Sequence, residues 1–150
     1  MANNKKAIKA AIFASGNGTN AENIIRCAKK SQGKLQITCI ICDKGNAGVI
    51  FRARALGVPC LVVPVEREKH GALKEARRMQ EKRVLEILAA QGVEWVLLAG
   101  YMQIVSADFL KTFADPVLGV NRVVNIHPSL LPEFPGKDSY RRAYDAGVAE

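Results

Sequence analysis

Short apolar runs alternate with longer amphipathic segments along the chain, and this alternation limits the folds that the chain can adopt. Five runs are apolar at most positions, which is typical of strands buried on both faces. They are Ala7 to Ala14, Leu35 to Cys42, Pro59 to Pro64, Trp95 to Ala99 and Arg122 to Ile126. Because helical segments separate them, the pattern predicts an α/β fold with a doubly wound, Rossmann-like, mostly parallel sheet and helices on both faces.

The segments between these runs have the start and stop signals of helices. Asn20 is predicted to cap the first helix, Gly57 and Gly92 to end the second and third, and Ser106 to start the fourth. The third segment has an apolar stripe at three- and four-residue spacing, so one long surface helix is predicted there. The four predicted helices cover Asn20 to Lys30, Gly48 to Leu56, Glu68 to Gln91 and Ser106 to Phe113.

Composition narrows the class of protein and of partner. The 150 residues are 49% hydrophobic and 24% charged, which excludes a disordered or fibrous chain and fits one compact domain. The net charge of +8 favours anionic partners, although few aromatic residues accompany the basic ones, as nucleic-acid binding would need. No apolar stretch is long enough for a membrane helix or a secretory signal, so a cytoplasmic protein is expected.

The cysteines are interpreted as reduced, buried apolar groups rather than as metal ligands. Cys39 and Cys42 have the spacing of a zinc-ligand pair, but the sequence offers no second pair. Residues three apart on a strand also point to opposite faces of the sheet. No metal site is therefore predicted.

Ligands of a doubly wound sheet bind at the carboxyl ends of the strands, which directs attention to residues 14–20, 43–47, 99–106 and 126–139. The first connection, Ser15-Gly16-Asn17-Gly18-Thr19-Asn20, joins a strand to a helix. Its glycines allow backbone amides to approach an anion, and its hydroxyl and amide side chains add donors, so a phosphate site is predicted. The alternatives are a tight turn with no ligand and a dinucleotide site, since Gly16-x-Gly18-x-x-Ala21 followed by Asp43 fits that fingerprint.

The last connection begins with a carboxamide and an imidazole two residues apart, Asn125 and His127. On a strand such residues leave the same face, so both side chains are expected to converge on one point. An imidazole moves protons near neutral pH, and a carboxamide donates to an oxygen that becomes negative in a tetrahedral intermediate. The alternative is a polar pair that only tethers the loop to backbone groups.

Three motifs together resemble a known family. They are the Ser15 to Asn20 turn, Leu98-Ala99-Gly100-Tyr101-Met102-Gln103-Ile104, and Asn125-Ile126-His127-Pro128-Ser129-Leu130-Leu131-Pro132. The chain resembles, from about residue 7 to its last residue, the phosphoribosylglycinamide formyltransferases, the folate-dependent glycinamide ribonucleotide transformylases of purine synthesis. The resemblance implies transfer of a formyl group from 10-formyltetrahydrofolate to the amine of glycinamide ribonucleotide, without a metal.

The resemblance also implies roles for particular residues. Gly18, Thr19 and Asn20 match positions that hold the substrate phosphate, and Pro128 is predicted to be a further substrate-binding residue. Asn125 and His127 match the catalytic carboxamide and imidazole. Met102, Ile104 and Val105 match apolar positions of the folate pocket, and Arg77 matches a basic residue near the folate's glutamate tail.

The chain departs from the family pattern in two places. The family's catalytic aspartate follows the last motif, and the chain stops at Glu150 before it. Residues 1–150 are therefore expected to form a single formyltransferase domain without its C-terminal part and to have little or no turnover. The segment from Phe113 to Val123 is longer than usual and is expected only to extend a surface loop. Two other functions stay open, a dinucleotide-dependent oxidoreductase and a non-catalytic anion-binding module.

Overall fold

The computed structural model describes residues 6–126 and 139–148 and contains a five-stranded parallel sheet and a separate two-stranded one. The strands are β1 (Ile8–Phe13), β2 (Leu35–Cys42), β3 (Cys60–Val62), β4 (Trp95–Leu98), β5 (Ala114–Asp115), β6 (Val120–Asn121) and β7 (Val123–Asn125). The helices are α1 (Thr19–Lys30), α2 (Val49–Ala55), α3 (Arg67–His70), α4 (Leu73–Ala90), α5 (Ala107–Thr112) and α6 (Ser139–Asp145).

The main sheet has the order β3-β2-β1-β4-β7, and all of its neighbouring strands are parallel. The chain therefore winds outward from β1 in one direction through β2 and β3, and in the other through β4 and β7. This arrangement confirms the doubly wound, mostly parallel sheet. It also places the reversal of strand order between β1 and β4, where sheets of this kind bind their ligands.

Two apolar clusters cover the two faces of the sheet. The first contains Ile12 and Cys42 together with buried residues of α1 and α2. The second contains Phe13 and Cys39 together with residues of α4 and α5. Cys39 and Cys42 therefore lie on opposite faces of β2, as predicted, and they cannot share one metal ion.

The prediction of one long third helix is wrong. Gly71 has a φ of 70° and ψ of −95°, a conformation that favours glycine, and it separates α3 from α4. The predicted cap of the first helix is also wrong, because the N-cap position of α1 is Gly18, with a φ of 78°, and Asn20 lies inside the first turn. The predicted glycine stops at Gly57 and Gly92 are confirmed by their positive φ angles of 68° and 65°.

The expectation of a plain surface loop after α5 is also wrong, since β5 and β6 pair as a short antiparallel hairpin. The side chain of Asp115 shapes it: Oδ1 accepts the backbone N–H groups of Val117 and Leu118, each at 3.0 Å. Its Oδ2 accepts from Nε of Arg122 at 3.0 Å and forms an ion pair with that guanidinium. The hydrogen bonds from Leu118 and Arg122 lower the pKa of Asp115 below its usual range.

Within residues 6–126 and 139–148, none of the helices combines the length and the apolar character that crossing a bilayer requires.

Candidate functional site

Three strand ends lie in one row at the carboxyl edge of the sheet. Phe13 of β1 is in register with Leu98 of β4, and Leu98 is in register with Asn125 of β7. Neighbouring strands lie about 4.8 Å apart, so the backbones of Phe13 and Asn125 are separated by about 10 Å. The turn after β1 and the end of β7 therefore share one edge, with a single strand between them.

The turn after β1 is held tightly against the start of α2. A Cβ atom added to Gly18 would lie 2.5 Å from Cγ2 of Val49, and one added to Gly48 would lie 2.9 Å from Oδ1 of Asn17. The Nε of Arg52 donates to the carbonyl of Asn17 at 2.8 Å. Because of this close packing, glycine is required at position 18 for space as well as for its φ.

The start of α1 has the properties of an anion site. No side chain caps the helix, so its first backbone N–H groups are left for a ligand or for water. Thr19 and Asn20 are exposed in this first turn. The acid of the turn, Glu22, is bound by Arg26 and Arg52, whose hydrogen bonds lower its pKa. The structure thus brings Gly18, Thr19 and Asn20 together at one helix N-terminus.

The loop after β4 is fastened to the turn after β1. Ser15 is buried; its N–H donates to the carbonyl of Gly100 at 3.0 Å, and its Oγ accepts from the N–H of Met102 at 2.8 Å. Beyond this contact Met102 and Ile104 are 70% and 82% exposed. These residues are therefore not part of the core, and an ordinary packing role does not explain them.

Arg77 of α4 lies beside the same loop. It lines a groove of about 1060 Å³ between α4 and α5, together with Ile104 and Val105. Its Nε is buried and has no hydrogen-bond partner among the described residues. The groove thus combines apolar side chains with charged ones of both signs, and its basic residues are Lys74, Arg77, Arg78 and Lys82. Such a lining suits a flat apolar ligand with an anionic group.

Sequence reasoning missed a buried polar contact below this loop. Nε2 of Gln80 donates to the carbonyl of Val63 at 2.6 Å and to the hydroxyl of Tyr101 at 3.3 Å. The ring of Tyr101 packs edge-on against Phe13, with 5.1 Å between centroids. Burial raises the pKa of Tyr101, and the nearby charge of Asp43 raises it further. Gln80 could have been found, because it lies four residues from both Ala76 and Val84 on the buried face of α4.

Asp43, the acid of the dinucleotide alternative, is not available to a ribose. It follows β2 and is only 7% exposed. Its Oδ2 accepts from Nε2 of Gln103 at 2.8 Å. A ribose-binding acid needs its oxygens at the surface of the ligand crevice, so this geometry does not favour the oxidoreductase.

Asn125 ends β7 and is exposed. Val123 packs against the second cluster, and side chains alternate along a strand, so Asn125 faces the side of the sheet that carries α4 and α5. The groove with Arg77 is on the same side. His127 and Pro128 lie outside the described residues.

The chain is similar in sequence to known proteins. The model of the family described as formyl transferase matches residues 8–150. A phosphoribosylglycinamide formyltransferase of Bacillus subtilis is 37% identical over 141 residues, which are 93% of this chain and 66% of that protein. A trifunctional purine biosynthetic protein, adenosine-3, of Gallus gallus is 32% identical over 94% of this chain and 13% of its own length.

Solved structures are similar as well. The phosphoribosylglycinamide formyltransferase of Brucella melitensis superposes with a TM-score of 0.82 and 34% identity over 95% of this chain and 68% of that one. Glycinamide ribonucleotide transformylase 1 of Geobacillus kaustophilus gives 0.78 and 35% identity over 95% of this chain and 70% of that one. The chain spans no more than about two thirds of the two curated relatives. With the family model matched from residue 8 to residue 150, the chain belongs to the formyl transferase family.

Proposed function

We propose that the chain takes part in the transfer of a formyl group from 10-formyltetrahydrofolate to the amine of glycinamide ribonucleotide, in de novo purine biosynthesis. The name of its Bacillus subtilis relative, a phosphoribosylglycinamide formyltransferase, supports the acceptor and the formyl group, and the name of its Gallus gallus relative supports purine biosynthesis. The observation that carries the proposal is the shared edge, where an uncapped helix start lies one strand away from Asn125. The partners are small molecules, and the proposed compartment is the cytoplasm.

The start of α1 is proposed to bind the phosphate of glycinamide ribonucleotide. Backbone amides at Gly18 and the side chains of Thr19 and Asn20 would donate to its oxygens, and the positive end of the helix would favour the dianion. Pro128 is proposed as a further contact to this substrate. Glu22 is paired with Arg26 and Arg52, and their positive charges offset its repulsion of the phosphate.

The groove beside α4 is proposed to bind the folate. Ile104 and Val105 supply apolar contacts, and exposed Met102 extends the apolar surface toward the turn after β1. Arg77 would pair with a carboxylate of the glutamate tail. Asn125 faces this side of the sheet, so a formyl group carried by a folate in the groove would lie toward it.

In the proposed reaction this chain supplies a carboxamide and an imidazole. The amine attacks the formyl carbon, and the carbonyl oxygen becomes negative as the new C–N bond forms. Asn125 donates a hydrogen bond to that oxygen. His127 takes the proton from the attacking nitrogen and gives it to the folate nitrogen, whose bond to the carbon breaks.

Binding measurements test the phosphate site. Asn20→Ala should weaken glycinamide ribonucleotide about tenfold and leave a phosphate-free analogue unchanged, because only the first loses a hydrogen bond to a charged group. Asn23→Ala, an exposed asparagine on the same helix, should change neither affinity. Equal losses for both ligands in Asn20→Ala would place the phosphate elsewhere.

A single-turnover assay tests the chemistry. Asn125→Ala should slow formyl transfer by about a hundredfold or more, the usual loss of an oxyanion donor, while ligand affinity stays within about twofold. Asn23→Ala again is the control. An unchanged rate in Asn125→Ala would contradict the role of this carboxamide.

A further inference from the structure

The hydrogen bond between Gln103 and Asp43 crosses over the end of β1. Asp43 follows β2, and Gln103 lies in the loop after β4. In the sheet, β1 stands between β2 and β4. A contact of 2.8 Å from Nε2 of Gln103 to Oδ2 of Asp43 therefore spans the strand whose end begins the proposed phosphate turn.

Asp43 cannot be a ligand contact in this structure. The side chain is buried, and its Oδ1 is inaccessible and lacks a hydrogen-bond partner within residues 6–126 and 139–148. Burying a carboxylate of which only one oxygen has a partner among the described residues is unfavourable, so the contact calls for an explanation beyond stability. The contact that Asp43 does make is with the loop that carries Met102, Ile104 and Val105.

Ser15, which follows β1, holds the same loop at a second point. Its N–H and its Oγ bond the backbone of Gly100 and of Met102. The loop after β4 is thus tied to the turn after β1 by Ser15 and to the end of β2 by Gln103. These contacts fix the distance between the helix start and the apolar groove.

We propose that Asp43 and Gln103 are positioning residues that hold the loop after β4 over the end of β1, and so couple the phosphate site to the folate groove. The identity of the two ligands rests on the proposed function, whereas the positioning itself does not. Neither residue is proposed to touch a reacting atom.

Hydrogen exchange of the ligand-free protein tests the positioning. The amide of Met102 should exchange about tenfold faster in Gln103→Met, because the loop opens more often once a hydrogen bond to a charged group is lost. Gln103→Glu should have the same effect, since two carboxylates then face each other. The control is Gln36→Met, an exposed glutamine of β2, which should leave the exchange rate unchanged.

The double variant Asp43→Asn/Gln103→Glu separates positioning from simple loss of packing. It exchanges donor and acceptor, so the amide of residue 43 again bonds a carboxylate of residue 103. Exchange of the Met102 amide should return to within about twofold of the parent. Unchanged protection in Gln103→Met, or no recovery in the double variant, would overturn the proposal.

Binding gives the second measurement. In the parent chain, folic acid should strengthen glycinamide ribonucleotide binding; this coupling should disappear in Gln103→Met and return in the double variant. Coupling that survives in Gln103→Met would refute the link between the sites. If the parent binds neither compound while the exchange rates behave as expected, the proposed function fails and the positioning role stands.

Discussion

Gly18 meets two constraints that no other residue type satisfies. A φ of 78° is unfavourable for any residue with a Cβ atom, and a Cβ atom at this position would lie 2.5 Å from Cγ2 of Val49. Gly18→Ala should therefore destabilise the fold by about 1–3 kcal/mol, measured by urea unfolding. Gly16 lies in the same turn, but a Cβ atom there would meet nothing within 4 Å and its φ is not positive, so Gly16→Ala is the matched control. Equal stabilities of the two variants would show that the approach of Val49 does not matter.

The four cysteines differ in reactivity because they differ in burial. Cys27 is exposed on α1, so the interpretation of the cysteines as buried groups is wrong for this residue, whereas Cys39 and Cys42 are buried. Burial also raises the pKa of Cys60 to about 11, which leaves little thiolate at pH 8. In the native chain, a thiol reagent at pH 8 should therefore label Cys27 rapidly. The substitution Cys27→Ser should remove this rapid phase of labelling. Rapid labelling of Cys60 in Cys27→Ser would contradict this order.

At the scale of elements, the hairpin of β5 and β6 depends on Asp115. The pKa of this carboxyl is lower in the folded chain than in the unfolded one, so it stabilises the fold at neutral pH, and this contribution is lost as the pH falls below about 4. Asp115→Asn should lower the urea midpoint at pH 7 and have a smaller effect at pH 3. Asp108→Asn, at a carboxyl whose side chain is 90% exposed, should change the midpoint little at either pH.

The same elements mark what the sequence could and could not predict. Leu35 to Cys42 could be predicted as a strand because it is apolar on both faces. The predicted bounds are those of β2 in the structure. The break at Gly71 was hidden, since the charged and polar residues before it, Arg67 to His70, are compatible with the exposed face of a longer helix. The hairpin was hidden as well, because its strands have only two residues each and depend on the contacts of Asp115.

The candidate site divides in a similar way. The sequence could predict that the turn after β1 and Asn125 lie at one edge of the sheet, because a parallel sheet brings all carboxyl strand ends to the same edge. The contact of Gln103 with Asp43 was not readable. It depends on which strands are neighbours, and the order of β2, β1 and β4 is a property of the assembled sheet.

At the scale of the whole molecule, the net charge of +8 and the helix start attract anions in different ways. The basic residues of α1 and α4 that lie outside the site, among them Lys29, Lys30 and Arg83, are exposed. Binding of a polyanion to such scattered charges releases counterions and falls steeply with salt. A single dianion held by backbone amides at one helix start is saturable and less sensitive to salt.

Ligand-linked stability separates the formyltransferase from the non-catalytic anion-binding module. Glycinamide ribonucleotide at about a hundred times its Kd should raise the free energy of unfolding by about 2.7 kcal/mol. The measurement is urea unfolding, followed by the fluorescence of Trp95, at about 50 and about 300 mM KCl. Single-stranded RNA should stabilise it only at the lower salt concentration, because its contacts are made by exposed lysines and arginines that salt screens. Stabilisation by RNA at the higher salt concentration, with none by glycinamide ribonucleotide, would favour the anion-binding module, since the charged surface rather than the turn at Gly18 would then be the binding site.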